Sequence, residues 1–386
     1  MTPPRHRRPW WQRLRWDRLA IVVTPVALLI GTVVGLSTGG TTPARTAPST
    51  TTTTTWRALR TNCRDEGSFT TRQRVSQLLM LSLDSPTPAQ VTALTQRADG
   101  PGGLLFLSMR EGPDRAAVAT ALAASPVLAA VDDEGGRVNR FGAAGFPSAR
   151  RQAATLSLAR IRALGASRAA DLTSRGVNLD FAPVVDVSSQ PDGGPIGDRS
   201  YSDDPRAVVR NAGAFAAGLR DGGVLPTFKH FPGHGSASGD SHAGAVTTPP
   251  LAQLIRSDLV PYRPLLAAGP AAVMVGHLTV PGLTEAGTPA SLSPAAYRYL
   301  RQKVGFTGLA VTDDLAAMKA ITDQRTTPDA AVAALAAGAD VAIVGPMAAY
   351  DAVLARVEQA ATSGELPAAR VTEALHHVRT AQGCPA

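Results

Sequence analysis

The stretch Val224–His242 reads VLPTFKHFPGHGSASGDSH. It opens on an apolar run that reaches Lys229 and His230, after which glycine and proline recur. A near-continuous apolar run is typical of a strand buried on both faces of a parallel sheet. Glycine and proline disfavour the interior of helices and strands alike. The stretch therefore predicts a buried parallel strand that passes into a loop rich in titratable side chains.

Seven other runs along the chain have the same character, and all of them are short and mostly apolar. They are LLMLSL (78–83), GLLFLS (103–108), VLAAVD (127–132), GVNLDFAP (176–183), AAVMVGH (271–277), GLAVTD (308–313) and DVAIVG (340–345). Stretches rich in alanine and arginine separate them, with apolar residues at helical spacing. We expect helices at Arg115–Ala124, Leu156–Arg175, Pro205–Asp221, Leu251–Ala267, Ala295–Gln302, Pro328–Ala337 and Met347–Ala361.

This alternation predicts an α/β fold, a (β/α)8 barrel of the TIM type. Eight strand–helix units in roughly 320 residues fit such a barrel, whose active site gathers at the carboxyl ends of the strands. A doubly wound open sheet is the alternative. That fold often carries a glycine-rich phosphate turn, but no G-x-G-x-x-G follows the first run.

Polar residues end five of the eight runs. They are Asp132-Asp133-Glu134 after the third, Asp180 and Asp186 at the fourth, Lys229-His230 at the fifth, His277 at the sixth and Asp313-Asp314 at the seventh. Five such endings in succession indicate a site. Two adjacent carboxylates in an extended chain point in opposite directions, so only one of Asp313 and Asp314 can face the barrel axis. We expect the other to bond backbone or a cation.

The glycine-rich loop after Lys229 allows three interpretations. His230, His234, Asp240 and His242 are residue types that bind metal ions, although no helix fixes their spacing. Alternatively, Asp240 holds and orients the imidazole of His242 for acid–base work. The third possibility is a loop of solvated histidines.

The positive charge of the chain is confined to its start. The formal net charge is +8, and residues 1–62 hold nine arginines and one acidic residue, so the remainder is neutral. A neutral body gives no support for nucleic-acid binding.

The first 58 residues predict a membrane-attached start. Residues 1–18 are basic, 19–36 (LAIVVTPVALLIGTVVGL) are uncharged and apolar, and 37–58 are rich in threonine and proline. Eighteen helical residues span ~27 Å, close to the bilayer core. The arginines before this run predict a cytoplasmic N-terminus, a single-pass anchor, a solvated linker and an extracellular catalytic domain at 59–386. A cleaved signal peptide, giving a secreted domain, is the alternative.

The two cysteines, Cys63 and Cys384, lie near the two ends of that domain. Export makes a disulfide permissible, and the bridge would join the domain's termini. Two free thiols are the alternative.

Seven stretches of the chain form a characteristic series. They are VDDEGGRVNRF (131–141), GVNLDFAPVVDV (176–187), IGDRSY (196–201), KHFPGHGSASGDSH (229–242), VMVGHLTVPGL (273–283), PASLSP (289–294) and GFTGLAVTDDLAAM (305–318). Together they resemble glycoside hydrolase family 3, and in particular its bacterial single-barrel β-N-acetylglucosaminidases. The similarity runs in the family's order from about residue 70 to 380.

The resemblance implies a retaining hydrolase that releases terminal β-linked N-acetylglucosamine from peptidoglycan fragments or related glycans. By it, Asp313 is the nucleophile, His242 the general acid/base and Asp240 the partner of that histidine. The residues implied to hold the sugar are Asp132, Arg140, Arg199, Lys229 and His230. We expect a monomer with no cofactor and no metal. Asp133 either sharpens selectivity or faces solvent, and we expect it to face solvent.

Three alternatives remain at this point. A histidine acid/base does not repel phosphate as a carboxylate would, so a phosphorylase is one. In another, the acetamido group of the substrate replaces Asp313 as nucleophile. The third, of a different class, is a non-catalytic protein that binds cell-wall glycans.

Overall fold

The computed structural model describes residues 63–384. The predicted basic segment 1–18, the apolar segment 19–36, the linker 37–58 and its junction with the domain all lie outside the described residues. Within residues 63–384, no helix combines the length and the apolar character needed to cross a bilayer.

Eight parallel strands close into a barrel in which each strand pairs with the next along the chain and the last with the first. This confirms the predicted (β/α)8 barrel. The strands are β1 (Leu79–Leu83), β2 (Gly103–Phe106), β3 (Leu128–Val131), β4 (Leu179–Asp180), β5 (Leu225–Phe231), β6 (Ala272–Val275), β7 (Ala310–Asp314) and β8 (Val341–Pro346). Nearly all their residues are buried, as expected for strands that face side chains inside the barrel and helices outside it.

Helices surround the barrel. They are α1 (Thr71–Ser76), α2 (Pro88–Gln96), α3 (Pro113–Ala123), α4 (Ala149–Thr155), α5 (Leu158–Ser174), α6 (Pro205–Asp221), α7 (Leu251–Leu254), α8 (Tyr262–Ala267), α9 (Pro294–Arg298), α10 (Lys319–Thr322), α11 (Thr327–Ala337), α12 (Tyr350–Ser363) and α13 (Ala368–Gln382). The predicted bounds of α6 agree with the structure, because Asp204 caps its first turn and Pro205 opens it.

The predicted continuous helix Leu251–Ala267 is wrong. The structure has α7 and α8 there, joined by turns at 255–261. Pro261 has no N–H to donate to the preceding turn, and its ring would clash inside a helix. The predicted helix Ala295–Gln302 also changes character, because α9 passes at Tyr299 into a wider π-helical turn that ends at Val304.

At the amino-terminal ends of the strands, one buried carboxylate and one disulfide stabilise the barrel. Asp340, before β8, accepts hydrogen bonds from Arg301 (2.6 Å), Arg370 (2.5 Å) and His377 (3.0 Å). Burial opposes ionisation of Asp340, but the His377 hydrogen bond and the two arginines lower its pKa.

The disulfide joins Cys63 to Cys384, whose Cα atoms are 5.7 Å apart. The pairing that the sequence favours is therefore present. Together with the Asp340 contacts, it secures α13 at the amino-terminal ends of the strands, away from the face where polar residues gather.

Candidate active site

A polar cavity of about 340 Å³ opens at the carboxyl ends of the strands. All eight residues to which the sequence gave catalytic or sugar-binding roles line it, and they are Asp132, Arg140, Arg199, Lys229, His230, Asp240, His242 and Asp313. They come from the ends of β3, β5 and β7 and from the loops that follow β3, β4 and β5. The fold therefore brings into one cavity side chains that lie up to about 180 residues apart in the sequence.

Lys229 is held between two carboxylates. Its Nζ lies 2.5 Å from Oδ1 of Asp132 and 2.7 Å from Oε1 of Glu134. Glu134 also accepts two hydrogen bonds of 2.8 Å from Arg199. Burial opposes charge on both groups, but the pairing raises the pKa of Lys229, and Arg199 and Lys229 hold the pKa of Glu134 well below its usual value. Lys229 and Glu134 are thus both charged at neutral pH.

His230 is fixed by Asp186, which is fully buried. Nδ1 of His230 lies 2.7 Å from Oδ2 of Asp186, and the backbone N–H groups of His230 and His234 donate to Oδ1 at 3.1 and 2.7 Å. Burial raises the pKa of Asp186, but His230 and His234 lower it below its ordinary value. The Lys229–His230 and Phe231–Pro232 peptide bonds are cis.

The two carboxylates at the end of β7 point in different directions. Asp313 lines the cavity. Asp314 turns away and accepts hydrogen bonds from Ser82 Oγ (3.0 Å) and from the backbone N–H groups of Ala316 (2.8 Å) and Ala317 (3.2 Å). The sequence-based expectation that one acid faces the site and the other bonds backbone is confirmed.

These surroundings give Asp313 and Asp314 different acidities. Burial alone would raise the pKa of Asp313, but His230, His277 and Lys229 lower it below its ordinary value. Burial raises the pKa of Asp314 despite its hydrogen bonds. Asp313 is therefore the better anion, as a nucleophile requires.

Asp240 and His242 form a pair on the loop after β5. Oδ1 of Asp240 accepts from the backbone N–H of His242 at 3.0 Å and lies 2.8 Å from its Nδ1. Burial opposes ionisation of Asp240, but these two hydrogen bonds lower its pKa. The His242 side chain is 61% exposed, so the pair stands at the open side of the cavity. With Nδ1 engaged, Nε2 is left to exchange a proton.

Four further residues build this site, although the sequence gave none of them a catalytic or sugar-binding role: Glu134, Asp186, His234 and His277. His277 is buried, with Nδ1 2.7 Å from Ser291 Oγ and Nε2 3.2 Å from the Asp314 carbonyl oxygen. Burial lowers its pKa, and these contacts place its ring next to the backbone of the acid pair. Three of the four were visible as polar residues at or near strand ends, but their partners became evident only in three dimensions.

The expectation that Asp133 faces solvent is wrong. Asp133 is fully buried and forms an ion pair with Arg168 of α5, whose Nη2 lies 2.5 Å from Oδ2. The reason is strand alternation, since Asp132 and Glu134 point into the cavity and Asp133 must point the other way, toward the helices.

Two histidines of the loop are engaged with carboxylates, His230 with Asp186 and His242 with Asp240. Within the described part of the chain, no group of three or more His, Cys, Asp or Glu side chains has the arrangement of a metal site. A larger cavity, of about 760 Å³, lies at the opposite ends of β5, β6 and β7 and contains none of the eight predicted site residues.

Fold and site together define a (β/α)8-barrel enzyme with carboxylate and acid–base groups gathered at the carboxyl ends of its strands. The family sequence model of the glycosyl hydrolase family 3 N-terminal domain matches residues 104–381 of this chain. The chain therefore belongs to glycosyl hydrolase family 3.

Similar proteins agree with this. Beta-hexosaminidase LpqI of Mycobacterium tuberculosis is 44% identical over 329 residues, covering 81% of this chain and 82% of that protein. The crystal structure of a family 3 glycosyl hydrolase from Mycobacterium smegmatis matches with a TM-score of 0.78 and 43% identity, covering 82% of this chain and 98% of that one. A family 3 β-N-acetylglucosaminidase from Paenibacillus matches with a TM-score of 0.73 and 29% identity, covering 82% of this chain and 63% of that one.

The resemblance identified from the sequence is thus confirmed, and the predicted class, a β-N-acetylhexosaminidase, agrees with the names that these relatives carry.

Proposed function

We propose that the protein is a retaining β-hexosaminidase that releases terminal β-linked N-acetylglucosamine, with Asp313 as nucleophile and His242 as acid/base. The observation that carries the proposal is that Asp313 and the Asp240–His242 pair line the same polar cavity as the buried Lys229. The names of similar family members support the choice of sugar.

In the first step, an oxygen of Asp313 attacks the anomeric carbon while Nε2 of His242 gives its proton to the leaving oxygen. The bond to the aglycone breaks and a glycosyl-enzyme forms. In the second step, His242 takes a proton from water, the water oxygen attacks the anomeric carbon, and the Asp313 carboxylate leaves. Asp240 stabilises the imidazolium ion of His242 that is present before the first step and forms again in the second.

The sugar is held by charged groups. Asp132 and Lys229 already form a pair at one side of the cavity, and Arg199 and His230 lie beside it, with Arg199 Nη2 3.3 Å from His230 Nε2. Charged side chains form strong hydrogen bonds to hydroxyl and amide groups. Arg140 lines the same cavity and is exposed, so it is available to the substrate.

The test is release of a chromophore from the β-N-acetylglucosaminide and the β-glucoside by the full chain, with a chelator present. Asp313→Ala is expected to abolish turnover and His242→Ala to reduce it by at least about 100-fold. The exposed Asp323→Ala and His376→Ala are matched controls that keep full activity. Full activity of Asp313→Ala would end the assignment, and failure to trap a covalent adduct on Asp313 would favour attack by the substrate's acetamido group.

A phosphorylase is the second candidate, because the acid/base group at the cavity is an imidazole and not a carboxylate. A rate that rises with added phosphate, with release of the sugar 1-phosphate, would identify it. Binding of glycan fragments without turnover of any substrate would instead indicate a non-catalytic wall-binding protein.

We also propose that the natural substrates are peptidoglycan fragments and that residues 19–36 anchor the domain to the outer side of the cell membrane. The proposal rests on the apolar run and the arginines before it. Fractionation of cells that express the full chain or a variant lacking residues 19–36 tests the anchor, since only the full chain should sediment with membranes.

A further inference from the structure

Three consecutive acidic residues follow β3, and they do not share one environment. Asp132 and Glu134 contact Lys229 in the cavity. The intervening Asp133 points to the outside of the barrel, because side chains alternate along the extended segment Asp133–Gly135. Whatever fixes Asp133 therefore fixes the directions of both its neighbours.

Two hydrogen-bonding partners, Asp180 and Arg168, hold Asp133, in addition to the antiparallel pairing of its backbone with Asn139. Its backbone N–H donates to Oδ1 of Asp180 at the end of β4, at 3.0 Å. Its Oδ2 accepts from both Nε (2.9 Å) and Nη2 (2.5 Å) of Arg168. The other carboxylate oxygen, Oδ1, is buried and has no hydrogen-bond partner. Burial raises the pKa of Asp133, and the contact with Arg168 acts against that rise.

Arg168 is itself fixed in place. It belongs to the 17-residue helix α5, and its side chain is only 9% exposed. The guanidinium group lies over the ring of Phe146, 5.2 Å from its centroid, and Nη2 also contacts Asp171 at 3.2 Å. A guanidinium held on several sides is a rigid anchor, which a flexible lysine would not reproduce.

We propose that Arg168 is a positioning residue for the active site. Through Asp133 it fixes the 132–134 segment so that Asp132 and Glu134 hold Lys229, and Glu134 holds Arg199, at the sugar-binding side of the cavity. Its effect on catalysis rests on the proposed function. A displacement of about 1 Å in such groups can cost up to about 100-fold in rate.

The first experiment compares Arg168→Met with Arg162→Met. Arg162 is on the same helix and forms an exposed ion pair with Asp221 at 2.7 Å, so it controls for loss of a salt bridge on α5. We expect kcat/KM for the aryl β-N-acetylglucosaminide to fall at least about tenfold in Arg168→Met and to stay unchanged in Arg162→Met. Arg168→Lys should recover only part of the loss.

A double variant separates positioning from stability. Asp133→Asn combined with Arg168→Met removes both buried charges, so its melting temperature should recover toward that of the wild type. Its kcat/KM should remain low, because the anchor is still absent. Recovery of activity together with melting temperature would mean that the pair is only structural and would overturn the proposal.

A crystal structure of the Arg168→Met variant, or of the double variant if the single one does not fold, gives a readout without activity. We expect Asp132 and Glu134 to shift relative to Lys229 by about 1 Å or more. An unchanged 132–134 segment would refute the positioning role. If the wild type has no glycosidase activity, the proposed function fails, and the crystal structure alone decides this inference.

Discussion

The buried ammonium group of Lys229 leads to a prediction for both activity and stability. Lys229 is fully buried, and its ammonium group lies between Asp132 and Glu134. Lys229→Met should lower kcat/KM by at least about 100-fold, because the sugar loses a charged partner and two carboxylates lose theirs. Removing one member of a buried ion pair should also lower the free energy of unfolding by about 3–5 kcal/mol.

Steady-state kinetics and urea unfolding of the full chain measure these two effects. The matched control is Lys303→Met, which changes an exposed lysine at the other end of the barrel. Unchanged kinetics in the Lys229 variant would show that the buried network does not contact the substrate.

Asp258 predicts a pH dependence of stability. It is buried against Gly233 at the start of the histidine loop, and burial, with Asp186 nearby, raises its pKa to about 6. Between about pH 4 and 6 the folded state keeps a proton that the unfolded state has lost, so the free energy of unfolding falls as pH rises through this window. The loss amounts to about 3 kcal/mol at most.

Asp258→Asn should remove that loss, since a neutral amide cannot ionise. Urea unfolding at pH 4.5 and pH 7 should show the variant gaining stability relative to the wild type at the higher pH. Asp323→Asn, on the surface, should show no such difference. An equal difference between Asp258→Asn and wild type at both pH values would contradict the raised pKa.

The conformation of the loop after β5 depends on a glycine at position 235. Gly235 approaches the backbone so closely that an added Cβ would lie 2.0 Å from the carbonyl oxygen of Val187. Its own carbonyl oxygen accepts from Ser188 Oγ (3.0 Å) and Gln190 Nε2 (3.1 Å). Gly235→Ala should therefore displace the loop that carries Asp240 and His242.

We expect Gly235→Ala to lower kcat at least about tenfold, because the acid/base group is misplaced. Gly244→Ala is the control on the same loop, since a Cβ there would meet no atom within 4 Å. Steady-state kinetics of both variants check the prediction. Equal activity of the two would show that the loop tolerates displacement.

The elements differed in how far the sequence could predict them. All eight strands were found, because a strand buried on both faces is a continuous apolar run. The helix α6 was found with its bounds, because its cap is local to the sequence. The break between α7 and α8 was missed, although Pro261 marked it, because helical spacing continued across the turns.

The site was predictable in its residue types but not in its pairings. Lys229, His230 and Asp313 were visible at strand ends, and the motif order supplied their expected roles. The pairing of Glu134 with Lys229 and of Asp186 with His230 was not predicted, because these contacts join residues far apart along the chain. Asp133 was placed wrongly, because only the fold shows that a helix with a complementary arginine lies behind it.

In the molecule as a whole, the two ends of the barrel have different functions. The carboxyl ends of the strands carry the charged cavity, and the amino-terminal ends carry the Asp340 contacts and the disulfide. This division is common to barrel enzymes, in which one face supports stability and the other supports chemistry. Substitutions at the amino-terminal ends of the strands should therefore affect stability without affecting turnover.

Removal of the disulfide tests whether stability at one end of the barrel is independent of activity at the other. Cys63 and Cys384 are 321 residues apart, so the bridge restricts a very long loop in the unfolded chain and stabilises the fold by up to about 6 kcal/mol. Replacing both cysteines by serine should lower the melting temperature by about 5–10 °C. The value of kcat/KM at 25 °C should not change, because neither cysteine lines the catalytic cavity.

Calorimetry and kinetics of the full chain, with and without a reducing agent, measure both quantities. The reducing agent should lower the melting temperature of the wild type and leave that of the double serine variant unchanged, since the variant has no bridge to lose. A fall in kcat/KM parallel to the fall in melting temperature would show that the two ends of the barrel are coupled. Asp340 would then be the first residue to examine, because its contacts join α13 to the start of β8, next to the strand that carries Asp313.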